Sequence, residues 1–121
     1  SHRMPTKAIT EPFVVNSTLC LAYHTLENRD SKLPKHITKS LSPWIAGCDI
    51  CQEVCPWNKK DIPSSSEPDL KPKEWVLTLT KKEVLEWDDS IWIKKLKGSA
   101  LKRIKPWMWR RNVKSIIHNT Y

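Results

Sequence analysis

Apolar positions recur at helical spacing over the last third of the chain. The final predicted helix runs from Pro106, a residue suited to a first helical turn, to about His118. Its apolar stripe recurs every three to four positions, which is typical of a helix that covers a core. The stripe consists of Trp109, Val113, Ile116 and Ile117.

Capping signals divide the segment before this helix into further short helices. Thr80 followed by Glu83 is a capping box, which predicts a helix starting there. Asp88 and Asp89 can cap the next helix, and Gly98 ends it. Ser99 begins another short helix that runs to about residue 104. The residues expected to face inward from the helix after Asp88 are Ile91, Trp92 and Leu96.

The first third of the chain has shorter and more broken patterns. Two extended runs, 5–10 and 13–15, flank Glu11-Pro12 and predict a small hairpin with the proline at its edge or turn. A helix is expected from about Thr18 to Asn28. A second should run from Pro34 to about Leu41, before Ser42-Pro43 interrupts it. The fold class predicted is mainly α with a small β-hairpin.

A segment rich in proline and serine, 61–73, is the one linker-like stretch. It predicts a division between residues 1–60, which carry all the cysteines, and residues 74–121, which are helical throughout. The opening Ser1-His2-Arg3-Met4 is typical of a tag remnant followed by an initiator methionine.

Three of the four cysteines fall within eight residues. Cys48, Cys51 and Cys55 have the spacing C-x2-C-x3-C and are followed by Pro56, as in the second half of a bacterial ferredoxin motif. In that motif the cysteine before the proline ligates the other cluster of a two-cluster protein. Cys20 is the fourth candidate ligand. Two alternatives stay open, a four-thiolate zinc site and a disulfide framework.

The neighbours of these cysteines have more than one interpretation. His24 would share a helical face with Cys20, and we expect a packed or capping histidine rather than a ligand. Gly47 is expected to allow close backbone approach to a bulky cluster. Trp57 either caps the cluster pocket or belongs to the ordinary core.

Charge is concentrated at the C-terminus. The net charge is +8, and residues 94–121 contain nine Lys or Arg and no Asp or Glu. This pattern is typical of a surface for a polyanion such as nucleic acid, although a solvated basic face is the alternative. The candidate contacts, expected to point away from the apolar stripe, are Lys102, Arg103, Lys105, Arg110, Arg111 and Lys114.

The cysteines and the lack of long apolar runs bear on the cellular compartment of the protein. No apolar run approaches the length of a membrane span, and nothing resembles a signal peptide. Clustered free cysteines without a secretory signal predict a reducing, cytoplasmic location and no membrane partner.

Several stretches together resemble the C-terminal portion of epoxyqueuosine reductase. That family consists of cobalamin- and iron–sulfur-dependent oxidoreductases that complete queuosine in tRNA. The Cys-Pro-Trp-Asn-Lys ending is far more specific than a bare ferredoxin motif. The resemblance covers nearly the whole chain and is carried by Pro5-Thr6-Lys7-Ala8-Ile9, the segment from Val15 to Glu27, Gly47 to Lys59, Lys97 to Arg103, and Arg110-Arg111-Asn112.

The resemblance implies half of a ferredoxin-like domain with two [4Fe–4S] clusters, followed by HEAT-like helical repeats. Cys20, Cys48 and Cys51 match three ligands of one cluster, and the fourth would stand where this chain has Met4. Cys55 matches the ligand lent to the other cluster. The cobalamin domain would lie N-terminal to this chain, so the fragment alone is not expected to turn over. Its expected partners are tRNA, that domain and an electron donor.

Two functions of other classes compete with this interpretation. A stand-alone ferredoxin-like electron carrier would need complete ligation within the chain. A zinc-dependent nucleic-acid-binding module would use all four cysteines as one tetrahedral set.

Overall fold

The chain folds mainly into short helices behind one two-stranded hairpin, as the sequence predicts. Our computed structural model describes residues 6–59 and 63–118. Strands β1 (Ile9–Glu11) and β2 (Val14–Val15) pair antiparallel, with an irregularity in β1. Phe13, in the turn, has a φ of 66° and a fully exposed side chain.

Seven α-helices follow in the described residues. None of these helices is long and apolar enough to cross a membrane. Single turns of 3-10 helix lie at Ser17–Leu19, Pro56–Lys59, Pro68–Leu70 and Ala100–Arg103. The α-helices are α1 (Leu21–Leu26), α2 (Lys35–Leu41), α3 (Ile50–Glu53), α4 (Glu74–Thr78), α5 (Lys81–Glu86), α6 (Asp89–Leu96) and α7 (Pro106–His118).

The capping signals place the C-terminal helices where the sequence predicts them. The Thr80 hydroxyl accepts a bond of 3.2 Å from the Glu83 N–H, and the Glu83 carboxylate accepts one of 3.3 Å from the Thr80 N–H. Asp88 accepts from the first turn of α6, and Gly98, with a φ of 73°, follows its end. One inward position is wrong: Ile91 is exposed.

A cluster of indoles forms the core of the C-terminal half. Trp92 is fully buried and stacks on Trp109, with ring centroids 4.8 Å apart. The rings of Trp87 and Trp75 meet Trp92 edge-to-face, with centroids 4.9 and 6.2 Å from the Trp92 centroid. The other buried members of this indole core are Val84, Leu96, Ile104, Met108 and Val113.

A smaller aliphatic core lies beneath the N-terminal half. Its buried members are Leu21, Leu33, Ile37, Leu41 and Ile116. Ile116 belongs to α7, which packs against α1 and α2 on one side and α5 and α6 on the other. Cys48 packs against this aliphatic core. The last helix is therefore shared by both halves of the chain.

Two buried polar residues of α7 fasten it to the N-terminal half. Arg111 donates to the backbone carbonyls of His24, Asn28 and Asp30. The side-chain amide of Asn112 donates to the carbonyls of Thr25 and Ile45, at 3.1 and 2.8 Å, and its oxygen accepts from Arg111. Because buried carbonyls without donors are costly, this pair, the polar tie, fixes how α7 meets the N-terminal half.

Candidate metal centre

Cys20 lies at a break between two helical turns. The sequence predicts it within a helix beginning near Thr18, and this is wrong. Asn16 caps the preceding 3-10 turn through the Thr18 N–H and hydroxyl, at 3.1 and 2.6 Å. That turn ends at Leu19, and α1 starts only at Leu21. Cys20 has extended backbone between them, and its carbonyl accepts the first bond of α1.

His24 is a packed histidine, as predicted. It is 4% exposed, and both of its ring nitrogens are hydrogen-bonded. Nε2 donates to the Thr18 carbonyl at 2.8 Å, and Nδ1 accepts from the Asn28 amide at 2.9 Å. Neither nitrogen is free for a metal, so the side chain fixes the loop that precedes Cys20.

The other three cysteines surround the one-turn helix α3. Cys48 precedes it, Cys51 lies within it, and Cys55 follows it, just before the 3-10 turn that starts at Pro56. Gly47 leads into this segment with a φ of 78° and donates its N–H to the Thr25 hydroxyl at 2.9 Å. Nothing lies within 4 Å of where a Cβ of Gly47 would stand. The positive φ is a backbone conformation that favours glycine, and the expected close approach to a bulky cluster stays a prediction.

Two other thiols are close enough to Cys48 to act on its charge. Burial raises the pKa of Cys48, and the neighbouring Cys51, Cys20 and Asp49 raise it further, against the Ile50 N–H, whose hydrogen bond lowers it. Cys55 is not among the groups that act on it. That Cys20, Cys48 and Cys51 converge on one cluster, as the family resemblance implies, stays a prediction.

The donor chemistry of this place fits an iron–sulfur cluster. All four cysteines are free and half-buried. Thiolates are the ligands that hold such clusters, and hydrogen bonds to sulfur tune them. The aliphatic core beside Cys48 supplies an apolar wall. Met4, where the family resemblance places the fourth ligand of this cluster, lies outside the described residues.

A single-ion site is not preformed in residues 6–59 and 63–118. No three side chains among His, Cys, Asp and Glu there are arranged to hold one metal ion. Tetrahedral zinc needs sulfurs at about 2.3 Å from one centre. The four thiols would have to move together to form that set.

Trp57 does not belong to the core. Its side chain is 81% exposed, so that alternative is wrong, and the indole projects from the 3-10 turn after Cys55. Whether it covers a bound cluster stays a prediction.

The basic C-terminus is less uniform than its sequence suggests. Arg103 pairs with Glu27 at 2.7 Å, and Arg110 pairs with Asp89 at 2.7 Å. Arg110 also donates to the Trp87 carbonyl, at 2.8 Å. Both arginines thus have acidic partners on other elements, which the absence of acids after Asp89 concealed.

Arg111 is the clearest correction. The sequence predicts it on the outer face of α7, but it is 6% exposed and belongs to the polar tie. It cannot contact a polyanion from there. The exposed cations of the predicted set that make no ion pair with any described residue are Lys102, Lys105 and Lys114.

Sequence reasoning missed the polar tie and a basic cavity beside it. Asn112 carried no signal as a buried residue, because its partners are backbone carbonyls of Thr25 and Ile45. Lys32 and Lys35 also seemed ordinary polar positions, yet they lie across a cavity from Lys114. A helical-wheel projection of α7 places Arg111 only about 60° from the buried Met108, at the edge of the apolar stripe. This position is the one sequence signal of its burial.

A family model places the cysteine region in a known class. Residues 4–58 match the model described as a 4Fe-4S double cluster binding domain. This is the class that the cysteine spacing and the neighbouring thiols define.

Relatives extend the match to nearly the whole chain. An epoxyqueuosine reductase of Prochlorococcus marinus (strain NATL2A) is 66% identical over 116 residues, 96% of this chain and 37% of the relative. One of Synechococcus sp. (strain CC9605) is 60% identical over 89% of this chain and 34% of its own length. One of Cellulophaga algicola is 39% identical over 90% of this chain and 35% of its own. The chain is thus similar to part of the epoxyqueuosine reductases and spans about a third of the length of the relatives it matches.

A solved structure shares the fold. The crystal structure of an epoxyqueuosine reductase with an epoxyqueuosine-modified tRNA-Tyr stem loop superposes with a TM-score of 0.82. The two sequences are 23% identical, and the match covers 96% of this chain and 30% of the reductase chain.

Proposed function

We propose that this chain is the electron-relay region, and part of the tRNA-contacting region, of an epoxyqueuosine reductase. The reaction is the reduction of epoxyqueuosine to queuosine in tRNA. The observation that carries this proposal is the 66% identity to such an enzyme over nearly the whole chain. The finer architecture, half of a ferredoxin-like domain followed by HEAT-like repeats after residues 61–73, is part of the same proposal.

Cys20, Cys48 and Cys51 would hold one [4Fe–4S] cluster, and Cys55 would be lent to a second. Such a cluster, when bound, accepts and donates single electrons at a potential set by its surroundings. The Ile50 N–H, whose hydrogen bond lowers the pKa of the Cys48 thiol, would also stabilise added negative charge on a cluster held there. Cys48 packs against the aliphatic core, which would limit the access of water to that sulfur.

The chain would not catalyse the reaction alone. It spans about a third of the relatives, 37% in the most extensive of the three matches reported above. In our proposal the cobalamin-binding portion, which performs the epoxide reduction, lies outside this chain and receives electrons through it. An external donor supplies those electrons.

Exposed lysines would contact the RNA. Lys102 and Lys105 lie on and just after the 3-10 turn Ala100–Arg103, and Lys114 lies on α7. Their charges are not neutralised by any described acid, so phosphates can replace their counterions. Arg103 and Arg110 are already paired and contribute less.

Iron analysis tests the relay. We expect this chain, purified without oxygen, to bind iron and sulfide weakly. A longer chain that includes the upstream cysteines should approach about eight irons per chain, which corresponds to two four-iron clusters. In the longer chain, Cys48→Ser should remove about half of the iron. Cys55→Ser should affect the other half and so separate from Cys48→Ser in electron paramagnetic resonance spectra.

Three outcomes contradict the relay. Zinc in place of iron, with all four thiols bound to one ion, supports the zinc module. Full cluster ligation by this chain alone supports an independent electron carrier. Equal iron in the short and long chains overturns the two-cluster assignment.

A further inference from the structure

A basic cavity lies between α2, the loop before it and α7. Its volume is about 420 Å³. Leu33 and Thr38 contribute to its walls, and no acidic residue of the described part of the chain lines it. The cationic side chains around it are Lys32, Lys35, Arg111 and Lys114, and His118, at the end of α7, also lines it.

Arg111 gives this cavity a fixed positive charge. All five of its N–H groups are used by neutral acceptors, three backbone carbonyls and the Asn112 side-chain oxygen. It forms no ion pair with a carboxylate in the described residues. Burial lowers the pKa of its guanidinium, and the nearby Asp30 partly offsets that effect. Arg111 therefore cannot donate a hydrogen bond to a ligand. Its positive charge still acts on the cavity, because the buried side chain forms part of the cavity wall.

The three lysines can reach a ligand. Lys32, Lys35 and Lys114 are exposed, and their ammonium groups bond to no residue in 6–59 or 63–118. They come from the loop, from α2 and from α7, so they surround the opening instead of forming one surface row. Such convergence of cations without acids is suited to a phosphate.

The volume sets the size of the ligand. Pockets for small molecules start at about 300 Å³ and accept more than a bare phosphate ion. The leucine and the lysine stems provide apolar wall for a sugar or base attached to the phosphate.

We propose that this cavity binds one phosphate of an RNA strand together with its nucleotide. The proposal rests on the proposed function, because it takes the ligand to be RNA. It adds a binding place formed by α2 and α7, separate from Lys102 and Lys105. Lys32 thereby becomes part of the recognition surface, which its position in a polar loop did not suggest.

Affinity for a labelled RNA stem loop, measured by fluorescence anisotropy over a salt series, tests the charges. The double variant Lys32→Gln/Lys114→Gln should reduce the slope of log affinity against log salt by about one, the loss of one phosphate contact. Between 50 and 200 mM salt one such contact corresponds to about a threefold difference in affinity. The charge-matched control Lys71→Gln/Lys81→Gln, at exposed positions that do not line the cavity, should keep the wild-type slope.

Blocking the cavity without changing charge tests its shape. Thr38→Trp and, independently, Ser31→Trp should each weaken binding at least as much as the double lysine variant. Thr38→Ser should leave it unchanged. Circular dichroism checks that each variant is folded, and Ser31, in an exposed loop, serves if the helix substitution unfolds α2. If the charge variants weaken binding and neither block does, the lysines act as open surface and the cavity proposal is wrong.

The two proposals fail differently. If the wild-type chain does not bind the RNA stem loop at low salt, RNA contact by this region is wrong, and the cavity proposal with it. If it binds, and the cavity variants match Lys71→Gln/Lys81→Gln, only the cavity proposal is overturned. Inorganic phosphate, substituted for chloride at constant ionic strength, should compete with the RNA for binding to the wild-type chain. It should not compete with the RNA for binding to the double lysine variant.

Discussion

The two cores of this chain differ in how much they depend on their surroundings. The indole core is built on Trp92, fully buried against three other indoles. The aliphatic core takes Ile116 from the C-terminal helix and borders half-buried thiols at Cys48. One core is closed by large rings, whereas the other is completed from a distant helix and opens onto the candidate metal centre. Stability and chemistry are thus concentrated in different halves.

The largest effect should come from Trp92→Ala. Removing a fully buried indole should lower the free energy of unfolding by about 3–5 kcal/mol. Urea unfolding, followed by circular dichroism, measures it.

Two controls sharpen that result. Trp92→Phe keeps a ring and deletes an indole N–H that has no acceptor in the described residues, so it should cost clearly less. Trp57→Ala, at an exposed position, should change stability by less than about 0.5 kcal/mol. Equal effects of Trp92→Ala and Trp57→Ala would mean that the indole core does not dominate stability.

Asn112→Ala should destabilise the N-terminal half of the chain more than the C-terminal half. It deprives the Thr25 and Ile45 carbonyls of their donor, and we expect a loss of about 2–3 kcal/mol. Hydrogen exchange should accelerate in α1 and around Gly47 more than in α5 and α6. Ser115→Ala, which removes a bond within α7 only, is the control and should have little effect. Uniform acceleration along the chain would contradict the role of the tie.

A smaller loss of stability is expected from a substitution in α5, which packs in the indole core. Thr80→Ala removes the capping box of α5 and should cost about 1 kcal/mol. Thermal unfolding measures this loss, and Ser65→Ala, in the exposed segment before α4, serves as the control. No difference between the two variants would show that α5 is held by packing alone.

The smallest effect concerns pH. Bonds from the Ser90 hydroxyl and from the Ile91 N–H hold the pKa of Asp88 below its ordinary value. The stabilisation is therefore present above the unfolded-state pKa and lost as pH falls through the folded one. Wild type should exceed Asp88→Asn in melting temperature at neutral pH, and the difference should shrink in acid. A constant difference would exclude the carboxylate charge as its source.

Sequence prediction succeeded where the determinant is local. Thr80 with Glu83, Gly98 and Pro106 each fix a helix end through backbone conformation or a cap within one turn. It failed where the determinant is distant. Arg111 resembles a surface cation in sequence, because the carbonyls that bury it lie more than 80 residues away.

The cysteine region shows the same limit at shorter range. The spacing of Cys48, Cys51 and Cys55 predicted that one short helical turn carries all three, but the placement of Cys20 depended on where a 3-10 turn gives way to α1. That junction is set by the Asn16 cap, which competes with a longer helix of similar propensity.

The distribution of indoles makes the chain its own optical reporter. Four of its seven tryptophans, 75, 87, 92 and 109, lie in the indole core, so emission from this buried set follows the C-terminal half. Trp57 stands two positions after Cys55 and faces solvent, and its emission should be red-shifted from theirs. A light-absorbing centre bound at the cysteines would quench Trp57 and Trp44 by energy transfer before it quenched the others. Emission colour thereby distinguishes loading of the cysteines from unfolding of the helices without any added label.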